Sequence, residues 1–207
     1  TGTALSWAGQ NTAGSYTVVA TNTSTTCSQA MTGSATLTVN PLPTLFIVGG
    51  TASICSGSST TVTLSGSQTG VNYQLRRDGT NIGTAVAGTG TALSWAGQNT
   101  AGSYTVMATH ATGGCTQLMS GSLAVTITPL PTLFTVGGIG TICSGSSTTV
   151  TLSGSQTGVN YQLRRDGTNV GTAVAGTGAA LNWAGQNTAG SYTVVATNVT
   201  AGCTQLM

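Results

Sequence analysis

Cys27, Cys115 and Cys203 stand 88 residues apart (115 − 27 = 88; 203 − 115 = 88), and Cys55 and Cys143 repeat the interval (143 − 55 = 88). Cysteine thiols bind metals, run redox chemistry or form structural bridges, and spacing separates these uses. No CxxC pair occurs, and His110 is the single histidine, so a tetrahedral zinc site lacks its ligands. Two regularly placed cysteines per period of a Thr-rich chain read as a structural disulfide of an oxidising compartment. The odd total of five is the count expected of an array cut within a period. Three pairings fit the spacing. Within one period, Cys55 joins Cys115 and Cys143 joins Cys203, each pair 60 residues apart (115 − 55 = 60). Across the boundary, Cys27 joins Cys55 and Cys115 joins Cys143, each 28 apart (55 − 27 = 28). The third option joins Cys55 to Cys203 of the following period. The first is the working expectation, and a closed loop of that size would restrict the unfolded chain by about 4 kcal/mol.

Other reactive groups are scarce. There is no Lys and no Glu, and the charged residues are Arg76, Arg77, Asp78, Arg164, Arg165 and Asp166. Ser and Thr abound, but a nucleophile needs a base within hydrogen-bond reach, and one histidine scarcely supplies it. One Asp per period cannot build a calcium cage of six to eight oxygens. The chain is therefore expected to be no enzyme, with no catalytic residue, metal or cofactor. Without Lys, Lys–Asn isopeptide cross-links are excluded too. A net charge of +2 gives no electrostatic footprint for nucleic acid or an anionic membrane. No apolar run approaches the roughly 20 residues of a membrane span, so no membrane insertion is expected in this segment. The Arg-Arg-Asp clusters sit in LRRDG, a hairpin signal. They could hold an anionic glycan or contact a neighbouring domain or subunit. The simpler expectation is a solvated tip whose Asp pairs with an Arg, which contributes about 0–1 kcal/mol. His110 aligns with Asn22 and Asn198 and reads as a surface loop residue.

The elements around these residues repeat at the same period. ALSWAGQNTAGSYTVVAT at 4–21 returns almost unchanged at 92–109 and 180–197, with Trp7, Trp95 and Trp183 at the same point of each copy. Between 43–90 and 131–178 five positions differ: Ile47/Thr135, Thr51/Ile139, Ala52/Gly140, Ser53/Thr141 and Ile82/Val170. Repeats this close point to a protein in which copy number matters. Within the copy at 43–130, short alternating runs predict strands at 44–48, 51–55, 60–65, 71–77, 81–87, 91–95, 102–109 and 123–128. Turn signals separate them about every 8–12 residues and no helical period appears, the pattern of a two-sheet β-sandwich. Pro41–Pro43 and Pro129–Pro131 fall once per period and read as short stiff linkers. The expected division is the end of one domain (1–41), one whole domain (42–129) and a third lacking its last strand (130–207). The tryptophans could offer glycan-stacking platforms, but each is in phase with a Leu two residues earlier, and core packing is the expectation.

AGSYTVVAT, with Tyr16, Tyr104 and Tyr192 after a Gly, resembles the start of strand F in immunoglobulin-like domains. There a tyrosine-corner hydroxyl ties a loop to the backbone. Val18, Val106 and Val194 stand where antibody domains have their second cysteine, and Tyr73 and Tyr161 stand where those domains place a Trp. The chain as a whole is similar to the tandem immunoglobulin/PKD-like repeats of giant secreted surface proteins of Bacteroidetes. The carrying segments are NPLPT or TPLPT, ICSGSSTTVTLSGS, AGSYTVVATN and a Cys in the following loop. The resemblance implies an all-β tandem array of immunoglobulin-like sandwiches at the cell surface or outside the cell, often exported by a type IX system. It implies the shaft of an adhesin or the body of a surface filament. Partners would be neighbouring repeats of the same chain, copies of itself in a filament, and surface glycans if the repeats are instead a multivalent binding module.

Overall fold

Alternating apolar and Thr or Asn positions do form strands, and no helix occurs among residues 2–207, which are those the computed structural model describes. The first copy contributes β1 (Gly14–Tyr16), β2 (Val19–Thr21), β3 (Ser28–Ala30) and β4 (Ala35–Leu37). They pair as two small ribbons, β1 with β4 and β2 with β3.

The second copy is the most complete. Its strands are β5 (Val48–Gly50), β6 (Ser53–Cys55), β7 (Thr60–Leu64), β8 (Val71–Arg77), β9 (Thr80–Asn81) and β10 (Val86–Ala87). They continue with β11 (Leu93–Gln98), β12 (Gly102–His110), β13 (Thr116–Leu118) and β14 (Leu123–Thr128). One sheet runs β11-β7-β5. The other runs β10-β8-β12-β14-β6, with β9 on β8 and β13 on β12. Val62 and Leu64 of β7 and Leu93 of β11 bury against Val71, Tyr73 and Leu75 of β8 and Tyr104, Val106 and Ala108 of β12. Those are the residues that alternation places on one face, so each sheet covers the other's apolar side. Strand order and register make this an immunoglobulin-like sandwich, with β6 parallel to β14 at the edge.

The third copy repeats it with β15 (Val136–Gly137), β16 (Thr148–Leu152), β17 (Val159–Arg165) and β18 (Thr168–Asn169). Then come β19 (Val174–Ala175), β20 (Leu181–Gln186), β21 (Tyr192–Asn198) and β22 (Thr204–Leu206). Register is conserved between copies: Val106 faces Leu75, and Val194 faces Leu163. A second core gathers Leu152, Tyr161, Leu163, Trp183, Val194 and Ala196. The chain is thus a tandem of immunoglobulin-like sandwiches.

Three local expectations need correction. The strand expected to end at 48 instead begins at Val48 and runs through Gly49-Gly50. These glycines belong in the strand because its backbone lies so close to β7 that a Cβ on Gly50 would overlap the Thr61 carbonyl. The run at 81–87 is broken into β9 and β10, since Gly83 takes a φ of 60° between them. Residues 116–118, expected as loop, pair with β12 as β13.

Tyrosine hydroxyls fasten the loops. Tyr104 donates to the Thr100 carbonyl at 2.8 Å, Tyr192 to Thr188 at 2.8 Å and Tyr16 to Thr12 at 2.7 Å. Buried Tyr73 and Tyr161 accept from the backbone N–H groups of Gln68 and Gln156, both at 2.8 Å. The Tyr104→Phe variant should lose about 1–2 kcal/mol, because it leaves the Thr100 carbonyl without its partner. Urea unfolding of the chain measures this, and a midpoint equal to that of the parent would refute it.

Candidate functional site

β12 fixes where the cysteines lie. Gly102, at its start, faces Val125 of β14, and Thr128, three residues farther on, pairs with Cys55 of β6. Thr109, near its end, faces Thr116, the neighbour of Cys115. Ten residue steps at about 3.3 Å each put Cys55 and Cys115 roughly 30 Å apart, at opposite poles of one sandwich. A disulfide requires Cα atoms about 4.4–6.8 Å apart. Cys55 is instead bonded to Cys203, with Cα atoms 5.5 Å apart and a sequence separation of 148. This corrects the expected pairing of Cys55 with Cys115 and Cys143 with Cys203. Cys27, Cys115 and Cys143 are free, so the boundary pairing does not form either. The bridge joins the lower pole of the second copy to the upper pole of the third, across Pro129–Pro131. Cys203 is fully buried in this joint.

Cys143 aligns with Cys55 but is exposed. Residues 141–143 form no strand, whereas the aligned β6 does. The physical reason is pairing. β6 hydrogen-bonds to β14, whereas no strand among the described residues pairs with 141–143. Ile54, packed under β14, is 8% exposed, while the aligned Ile142 is 37% exposed.

The LRRDG hairpin of the second copy, against the start of β12, shares the pole that carries Cys55, and that of the third copy holds the equivalent place against the start of β21. Asp78 and Gly79 have φ of 48° and 80°, the two left-handed residues that a tight Asp-Gly hairpin demands. The Asp78 carboxylate accepts from the Ser103 backbone N–H at 2.9 Å, and Asp166 does the same from Ser191 at 2.8 Å. Asp therefore ties the hairpin to the start of the next long strand, in place of the expected Asp–Arg pair. The Arg76 guanidinium donates to the Gly79 carbonyl within the turn, and that of Arg164 donates to Asn169 at 3.0 Å. The Arg77 and Arg165 stems lie so close to Gly102 and Gly190 that a side chain there would collide with them. The four arginines are half-buried and the two aspartates exposed.

Trp183 is buried at 9% exposure and Trp95 packs half-buried on the core, but Trp7 is 60% exposed. The expectation of a buried Trp7 fails because the ribbons β1–β4 have no second sheet opposite them among the described residues. Tyr104 is fully buried, and Tyr16 and Tyr192 are half-buried. His110, expected in a loop, is the last residue of β12 and faces Val71.

No family model and no curated protein matches this chain. Solved structures that resemble it include the human OSCAR ligand-binding domain, 11% identical, which covers 81% of this chain and 99% of that one with a TM-score of 0.38. The Clostridium thermocellum CbhA fibronectin(III)-like modules are 12% identical, covering 79% and 90% with a TM-score of 0.39. The mouse nectin-like molecule 4 ectodomain is 14% identical, covering 87% and 70% with a TM-score of 0.34. At this level the fold assignment stands on strand order and register alone.

Proposed function

We propose that the chain is a segment of an extracellular structural array, the shaft of an adhesin or the body of a surface filament of the kind made by Bacteroidetes. Its units would be 1–41, 42–129 and 130–207, joined through the Pro-Leu-Pro linkers. The observation that carries this reading is the bridge between Cys55 and Cys203 across such a linker. A covalent tie between two cores resists bending and separation, and it forms where thiols can be oxidised. The charge clusters support it as well, because Arg76, Arg164, Asp78 and Asp166 are engaged in holding the hairpins and their neighbouring strands. The mechanism is mechanical: each sandwich adds a fixed length, and neighbouring repeats of the same chain are its principal partners. Electron microscopy of the array should show a repeat of about 35–45 Å, given strands of six or seven residues plus loops. A compact particle, or a spacing far outside that window, would refute it. A glycan-binding module is less well supported, since the repeated Trp presents no constant face, from 60% exposed at Trp7 to 9% at Trp183. A glycan array that captures the chain, with capture lost in Trp95→Ala, would favour that module instead.

A further inference from the structure

The bridge at the second joint has a counterpart half-assembled at the first. Cys115 directs its Sγ at the Asn40 carbonyl, 3.7 Å away, and Gly113 lies against the Asn40 side chain. Asn40 aligns with Thr128 (40 + 88 = 128), the residue paired with Cys55. Cys115 thus occupies, on the preceding copy, the place that Cys203 occupies on its own. Each sandwich carries one cysteine at its upper pole and one at its lower pole, too far apart to bond to each other and each facing a neighbour.

We propose that these cysteines form a continuous ladder, in which every lower-pole cysteine bonds to the upper-pole cysteine of the next unit in phase. Cys143 is then the receiving site for the unit that follows, and Cys27 and Cys115 are those for the units that precede. This rests on the array reading only in needing further units in phase. Each bridge forms by exchange with a small-molecule disulfide such as oxidised glutathione. One protein thiolate attacks it and releases a thiol. The partner thiolate then displaces the other half, so two protein thiols are oxidised as one disulfide is reduced to two thiols.

The geometry has a consequence for durability. The observed loop closes at Cys203, while the next would open at Cys143, so successive loops overlap by 60 residues (203 − 143 = 60). Every peptide bond between the first and the last bridged cysteine of the array then lies inside at least one loop. A single proteolytic cut there leaves the array covalently continuous, and pulling on its ends cannot draw out a whole unfolded sandwich.

The test lengthens the chain by one copy of residues 120–207, appended after Met207 so that the period continues (208 − 88 = 120). The product is refolded in oxidised and reduced glutathione, alkylated without reduction and weighed. It has seven cysteines (5 + 2). The ladder predicts two bridges and three alkylated thiols, with the tryptic peptide of Cys143 joined to that of the appended copy of Cys203. In the Cys143→Ser variant the appended copy should be alkylated instead. Five alkylated thiols, with Cys55–Cys203 intact and Cys143 modified, would overturn the ladder while leaving the microscopic repeat spacing untouched. Seven alkylated thiols would overturn it as well.

Discussion

Replacing Cys203 with serine is expected to destabilise the chain by about 5 kcal/mol when both cores unfold, since the lost bridge closes a loop of separation 148. The effect arises in the unfolded state: with the bridge, the ends of that loop stay together whatever else is lost. Cys55→Ser removes the same bond and should cost the same amount. The double variant should cost no more than either single one, because the two changes act on one interaction. A reductant added to the parent should reproduce the loss. Urea midpoints of the three variants, the reduced parent and the untreated parent measure this. Additive losses in the double variant, or a parent indifferent to reductant, would contradict it.

Gly88→Ala should be nearly as severe, about 3–5 kcal/mol, because overpacking here meets backbone that cannot retreat. A Cβ on Gly88 would overlap the Gln68 carbonyl and crowd the Tyr73 ring. Moving the segment aside would break the bond from the Gly88 N–H to the Val71 carbonyl at 2.8 Å. It would also disturb buried Ser67, which accepts from Thr89 N–H at 3.0 Å and donates to the Thr91 carbonyl at 2.6 Å. Gly176 stands in the same position against Gln156 and Tyr161, so Gly176→Ala should behave alike. Gly140 has nothing within 4 Å of its Cβ position and ordinary φ, and Gly140→Ala should stay within about 0.5 kcal/mol of the parent. Equal midpoints for Gly88→Ala and Gly140→Ala would refute the packing argument.

Much of the fold was legible because strands with one buried face announce themselves by alternation. Val71, Tyr73 and Leu75, and Tyr104, Val106 and Ala108, are inward where their phase put them. Asp78-Gly79 gave its turn because the dipeptide matches the φ values required. Gly49-Gly50 misled because glycine normally punctuates strands, and its reason for being in one is the approach of β7, a tertiary fact. Residues 116–118 carry no alternating apolar pair and become a strand only because β12 offers an edge. The fate of Trp7 depended on what lies opposite it, which local phase does not encode.

The disulfide was the larger miss, and its signal was present. Loop length alone favours no pairing strongly, since closure entropy grows slowly with length. Polarity of the strands does discriminate. Cys55 ends the strand that runs beside β14, whereas Cys115 follows the long strand that runs against it. In a sandwich of this topology those ends are opposite poles. Sequence spacing treated 60 residues as close, while the fold places them a strand's length apart.

Trypsin supplies the most direct measurement of the bridge between copies. The four arginines are the chain's only basic side chains that trypsin reads, so complete digestion yields 1–76, 78–164 and 166–207 apart from single arginines. Digested without reduction after thiol alkylation, 1–76 should remain joined to 166–207 through Cys55 and Cys203. The middle fragment should separate with both of its cysteines alkylated. Recovery of all three fragments as one species, joined through Cys115 to Cys55 and through Cys143 to Cys203, would contradict it.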